Sequence, residues 1–192
     1  LAGEVYEAQG NIDQAIREYK LALNDNAKLP QMRYRIGQLY LKKGDADADQ
    51  KAMDEFRAES AVDPQSAVSA LAMGEIYQYQ HQLDDALSQY QLASRLDPEL
   101  VEARVGAARV LLEKHQVDAS IEELHAVTKD HPENAKAHYA LMLAYRAQGK
   151  MTEAGQEMEI FKKLQQSDAE HFENRLNVLL NNKTQSDGAH PY

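Results

Sequence analysis

LAMGEIYQYQHQLDDALSQYQLASRLDP, residues 71–98, decides the reading of the chain. Gly74 and Tyr77 stand three apart; Ala86, Tyr90 and Ala93 follow, and Asp97-Pro98 ends the run. Ala86, Leu87, Tyr90 and Ala93 share one helical face, since residues three and four apart meet on a helix. Proline at 98 turns Asp97 away from the helical region, so the second helix stops there.

The same pattern recurs along the chain. Small–x–x–aromatic pairs stand at Gly3–Tyr6, Gly37–Tyr40 and Gly74–Tyr77, then weaken to Ala108–Leu111 and Met142–Tyr145. Four residues later come Gly10, Gly44, His81, His115 and Gly149, at expected helix ends where a left-handed cap is common. The second pair runs Ala15–Tyr19, Ala52–Phe56, Ala86–Tyr90, Ser120–Leu124 and Ala154–Met158, and Pro64, Pro98 and Pro132 close units. The spacing is 34 residues, widened once to 37 by an insertion between Gly44 and Ala52. Around Tyr40, the residues Tyr34, Ile36, Gly37 and Leu41 form another helical stripe. Two helices per unit follow, with the ring of the second approaching the small residue of the first. Tyr90 is therefore expected to be buried against Gly74.

This spacing resembles the tetratricopeptide repeat over nearly the whole chain, with the most complete match at Gly74, Tyr77, Ala86, Tyr90, Ala93 and Pro98. The resemblance implies an all-α fold, a right-handed superhelical solenoid of antiparallel helix pairs. The units are a partial first repeat 1–29, repeat 2 over 30–66, repeat 3 over 67–100, repeat 4 over 101–134 and repeat 5 over 135–168. A capping helix over 169–181, started by Asp168 and carrying Phe172, Leu176, Leu179 and Leu180, and a disordered tail over 182–192 are expected after them. Repeat 1 begins inside its first helix. An upstream unit, and self-association through an apolar edge at Val5 and Tyr6, are therefore expected.

Composition narrows the function. Thirty-one acidic residues against 21 basic give a net charge of −10, which argues against coating nucleic acid. Apolar runs are far shorter than the roughly 20 residues of a membrane helix. With no cysteine, thiolate metal sites, disulfides and cysteine nucleophiles are absent. No phosphate-cradling loop or nucleophile elbow occurs, so no catalytic residue and no cofactor is expected. Glu122–x–x–His125 resembles half of a di-iron helix motif, but that chemistry needs two such motifs and two more carboxylates facing one core; position 125 falls on the outer helix row and Asp168–x–x–His171 at an expected helix start, so no metal site is expected. The Asp45–Asp49 run reads as a solvated turn favouring the positive end of the next helix.

In repeats of this kind the first helices line a groove that takes partner segments. The resemblance places Tyr34, Arg35, Gln38 and Lys42 there, then Leu71, Glu75, Gln78 and Tyr79. Val105, Arg109 and Glu113 follow from the fourth unit, and Tyr139, Leu143 and Arg146 from the fifth. Tyrosine supplies rigid contact area and arginine a planar fork of donors, so Tyr79 and Arg109 are the preferred anchors. Repeats that clasp chaperone tails carry Lys and Asn at first-helix positions held here by Tyr34, Gln38, Ala72, Glu102 and Gly106, so that mode is not expected. The reading is a protein-binding scaffold or adaptor whose partner is a peptide or protein segment. The alternatives are a recruiting or regulatory segment of a larger enzyme, and a bacterial secretion or pilus assembly factor. The consensus-like repeats look bacterial, with export preferred over the cytoplasm as the compartment.

Overall fold

The described residues form ten helices. The computed structural model describes the backbone of residues 2–187 and the side chains of residues 2–167, 169 and 170. In order they are α1 (Ala2–Ala8), α2 (Ile12–Asp25), α3 (Met32–Lys43), α4 (Ala48–Val62) and α5 (Ala67–Tyr79). Then come α6 (Leu83–Leu96), α7 (Val101–Glu113), α8 (Val117–Asp130), α9 (Ala135–Gln148) and α10 (Met151–Asp187). No strand occurs among the described residues, and the fold is all-α. Two compact units divide the chain, Leu1–Gln116 and Val117–Tyr192.

In the first unit α1 packs on α2, α3 on α4 and α5 on α6, and each pair meets the next through α2–α3, α4–α5 and α6–α7. A ring set over a glycine holds each pair. Tyr19 is 1% exposed, Phe56 0% and Tyr90 3%. A Cβ built on Gly3 would come within 2.4 Å of the Tyr19 ring, and one on Gly37 within 2.4 Å of Phe56. One on Gly74 would lie 2.9 Å from Tyr90. Only glycine lets helix and ring close to that distance, and the expected burial of Tyr90 on Gly74 is observed. Tyr90 also has a second glycine, because a Cβ on Gly106 of α7 would lie 2.6 Å from its ring.

A polar clasp recurs between helix pairs at a separation of 20 residues. Lys20 donates to the Tyr40 hydroxyl at 2.9 Å, and Arg57 donates to the Tyr77 hydroxyl at 3.1 Å. Within the second unit, Tyr145 Oη and His125 Nε2 stand 2.6 Å apart. A different device starts α3: the carboxylate of Glu59, 1% exposed, accepts from the backbone amides of Gln31 (2.7 Å) and Arg33 (3.2 Å). Alanine occupies that register at Ala22 and Ala93, so the carboxylate reaches amides that the helix's own N-cap leaves unbonded.

At the inter-helix turns, Gly10, Gly44 and Gly149 have φ of 76°, 71° and 82°. His81 and His115 stand in the same slot with φ of 56° and 60°, a conformation that costs a side-chain-bearing residue roughly 1–2 kcal/mol.

In the second unit α9 packs on both α8 and α10. The sequence reading is corrected after Asp168. α10 runs unbroken for 37 residues from Met151 to Asp187, so there is no separate helix over 169–181, and residues 182–187 of the expected tail are helical. The physical reason is the lack of a breaker: α10 holds one glycine, Gly155, and no proline, and aspartate inside a helix costs only about 0.7 kcal/mol. Residues 188–192 and the side chains of Phe172, Leu176, Leu179 and Leu180 lie outside those described.

Candidate partner-binding cleft

Gly74 of α5 faces the Tyr90 ring of α6 and Ile76 packs with Ala52, Met53 and Phe56 of α4, which leaves a polar side to the last two turns of α5. Glu75, Gln78 and Tyr79 therefore stand together on its outer side. One helix pair further on, α7 presents Arg109 and Glu113. These five residues, with His81 at the α5–α6 turn and Tyr90 as the floor, line a cleft of about 700 Å³. All five come from the set that the sequence placed in a groove.

A hydrogen-bond chain fixes the floor. The Tyr90 hydroxyl donates to Gln78 Oε1 at 2.9 Å, and Gln78 Nε2 donates to Glu113 Oε1 at 2.5 Å. Three helices are tied by two bonds, and the Glu113 carboxylate is held at the cleft. Burial pushes the Tyr90 phenol well above its ordinary range; Glu75 and Glu113 add to the shift and Arg109 opposes it. Tyr34 is likewise raised, by burial first and by Glu75 second. Both phenols thus register a negative field around Glu75. Tyr79 is 79% exposed, the most exposed of the large apolar side chains in the described residues.

The remaining expected groove residues lie elsewhere. Tyr34 is half-buried, its ring 5.6 Å from Phe56 and its hydroxyl accepting from Gln38 at 3.3 Å. Arg35 is engaged within the chain, 3.5 Å from Glu7 and 3.8 Å from Glu4. Lys42 is exposed at the end of α3, and Leu71 is half-buried against the core between α5, α6 and α7. Val105 is a correction: at 5% exposure it belongs to the core and presents nothing to a partner. The cause is register: α7 is buried on more than the face that meets α6 through Ala103, Gly106, Ala107 and Val110, and Val105 stands on another of its buried sides. In the second unit, Tyr139 is 43% exposed with its ring 5.2 Å from Phe161 of α10, Leu143 is half-buried and Arg146 is exposed. At the other end of the chain, Val5 is 57% exposed, whereas Tyr6 packs against the Ile16–Ile36 core.

His81 and Tyr90 were not among the expected lining residues. His81 was legible only as a helix cap and Tyr90 only as core; the second glycine at position 106 is the signal that tied the ring to the next pair.

No helix among the described residues is long and apolar enough to cross a membrane. The family pattern described as "Tetratricopeptide repeat" matches residues 105–169, and that described as "TPR repeat" matches residues 3–44. No curated protein matches the chain in sequence. Among solved structures, MamA is 21% identical at a TM-score of 0.75, covering 88% of this chain and 96% of MamA. MamA from Desulfovibrio magneticus RS-1 is 18% identical at a TM-score of 0.75, over 86% of this chain and 92% of that one. YrrB, described as a TPR protein with an unusual peptide-binding site, is 20% identical at 0.68, over 85% of this chain and 82% of its own. At these identities the likeness is one of fold. With two repeat patterns covering more than half of its residues and the glycine–ring pairs in place, the chain belongs to the tetratricopeptide-repeat family.

Proposed function

We propose that this chain is a protein-binding scaffold, and that the cleft between α5 and α7 holds a segment of a partner protein with Tyr79 and Arg109 as anchors. The observation that carries the reading is convergence. Five residues expected on a groove come from two helices onto one cleft, beside a tyrosine that is 79% exposed. A large ring left in water next to an arginine has little to do for the fold and suits a contact hot spot. The peptide-binding site named for YrrB supports the reading as an analogy of fold. The scaffold reading asks for no catalytic group and no cofactor.

The test is a paired substitution. Tyr79→Ala with Arg109→Ala is expected to weaken a partner recovered with the native chain by at least about 2 kcal/mol, the usual hot-spot threshold. Thermal stability is expected to stay within about 0.5 kcal/mol, as for exposed residues generally. Asp85→Ala with Glu122→Ala, exposed on second helices, is the control and leaves binding intact. Equal losses from both pairs, measured by titration calorimetry, would remove the cleft from the account.

A further inference from the structure

One residue changes the hydrogen bonding at the floor of the cleft. Counting 71 residues forward, Glu7 and Tyr19 become Gln78 and Tyr90. Tyr19 donates to the Glu7 carboxylate at 2.6 Å, and the chain of donors ends there, because an ionised carboxylate only accepts. Tyr90 donates to Gln78 Oε1 at 2.9 Å, and Gln78 passes the chain on, its Nε2 donating to Glu113 Oε1 at 2.5 Å. The order of donors admits one assignment. Glu113 accepts, so Nε2 faces it; Oε1 then faces the phenol, which must donate. Two groups of opposite kind are left over: the second Nε2 hydrogen of Gln78 and the remaining lone pairs of Glu113. Both residues line the cleft, and neither side chain has another hydrogen-bond partner among the described residues.

Resting on the scaffold reading above, we infer that the α5–α7 cleft receives the side-chain carboxamide of a glutamine or asparagine of the partner. A primary carboxamide carries an acceptor and a donor on one edge. Its oxygen meets the Gln78 N–H while its own N–H meets Glu113. Other groups match less well. A carboxylate has no donor and would set a second negative charge against Glu113, and a guanidinium or ammonium has no acceptor for the Gln78 hydrogen. A serine or threonine hydroxyl must make both bonds from one atom, which bends at least one of them. A main-chain peptide group is trans, with its N–H and C=O on opposite sides, and cannot offer both on one edge. The exposed Tyr79 ring gives the planar amide a surface to lie on. The Tyr90 hydroxyl acts through Gln78 as a positioning group, since its bond to Oε1 keeps Nε2 turned toward Glu113.

Three short blocked peptides of one sequence test this, with glutamine, glutamate or methionine at the centre. Each is titrated into the whole chain and followed by amide and side-chain nuclear magnetic resonance shifts. The glutamine peptide is expected to shift the Gln78 side-chain amide, Tyr79 and Glu113 saturably. The other two are expected to bind about tenfold more weakly, the order expected for one or two hydrogen bonds. Gln78→Glu brings in the residue type of the first repeat, which keeps an acceptor for Tyr90 and removes the donor, and is expected to erase the glutamine preference. Tyr90→Phe is expected to weaken the glutamine peptide more than the methionine peptide while keeping the helix signals, since it frees Gln78 without emptying the core. A preference that survives Gln78→Glu, or shifts spread over α2, α4 and α6, would overturn the inference. If the methionine or glutamate peptide shifts Tyr79 and Arg109 and the glutamine peptide binds no better, the cleft stands and its amide preference falls. If none of the three shifts a cleft residue, the cleft and the preference fall together.

Discussion

The α1–α3 and α5–α7 regions share one framework and end in opposite states. In both, a tyrosine lies over a glycine and its hydroxyl donates a hydrogen bond to the side chain twelve residues upstream. The first is then closed by Arg35, whose guanidinium joins Glu4, Glu7 and Tyr19. The second has Gly106 at that position of α7 with the Tyr90 ring against it, and its cleft of about 700 Å³ is lined from α7 by Arg109 and Glu113. The repeat supplies the ring and its acceptor at both places, and the residues of the next first helix decide what stands beside them.

The largest effect expected from this comparison concerns the rings. Tyr90→Ala is expected to cost about 3–5 kcal/mol, as for other buried aromatic truncations. Tyr19→Ala falls in the same range but removes a ring with one glycine neighbour rather than two. Because repeat arrays are stabilised by nearest-neighbour interfaces, Tyr90→Ala is expected to broaden the denaturant transition more than Tyr19→Ala does. Identical transition widths would show that the second glycine contact at Gly106 adds no coupling.

Alkaline titration gives the next effect. Burial, then the Glu7 carboxylate, push the Tyr19 phenol up to about 12, and Tyr90 is also raised. These phenols hold their protons in the folded state at pH values where the unfolded chain has released them. Their stabilisation is thus complete below about pH 10 and declines as the pH rises toward the folded value. For Tyr19 the loss between about pH 10 and 12 is of order 2–3 kcal/mol. Ultraviolet absorbance is expected to show Tyr19 and Tyr90 ionising above the ordinary phenol range, and Tyr19→Phe to shift alkaline unfolding upward. A single ionisation step for all ten tyrosines would contradict the enclosed geometry of both sites.

The smallest effect is the most pointed. Arg35 is 42% exposed, so Arg35→Ala removes partly screened ion pairs and is expected to cost under about 1 kcal/mol in thermal or denaturant unfolding. Its interest lies in what it leaves, because Glu7 loses its guanidinium neighbour but keeps the Tyr19 hydroxyl, and the Tyr19 ring stays over Gly3. A larger loss would show that the guanidinium, and not the ring, holds the first region together.

Much of this architecture is written in residue spacing. Gly3, Gly37 and Gly74, each paired with a ring on the following helix, establish helix pairs because only a residue without a Cβ admits a ring at 2.4–2.9 Å. The left-handed slots at Gly10, Gly44 and Gly149 follow from the same periodicity, and His81 and His115 adopt the slot's φ although their type does not require it. The five cleft residues were legible as first-helix positions. Their assembly was not, since it depends on how far α5 and α7 stand apart.

Sequence alone therefore determined the all-α fold, the ring-over-glycine pairing and the −10 charge, all of which depend on local periodicity or on composition. Tertiary structure decided the rest, because each remaining feature is a relation between residues that no local pattern links. Val105 is buried although it stands on a first helix, because α7 is covered on more than one side. Glu59 reaches across 28 residues to the amide of Gln31 and starts α3, where an alanine in the same register would cap nothing. α10 runs past Asp168, because a capping residue stops no helix when the backbone before it is already hydrogen-bonded in register. Gly106 is a packing position only when the Tyr90 ring is seen against it, since nothing in its own residue type says which ring will meet it.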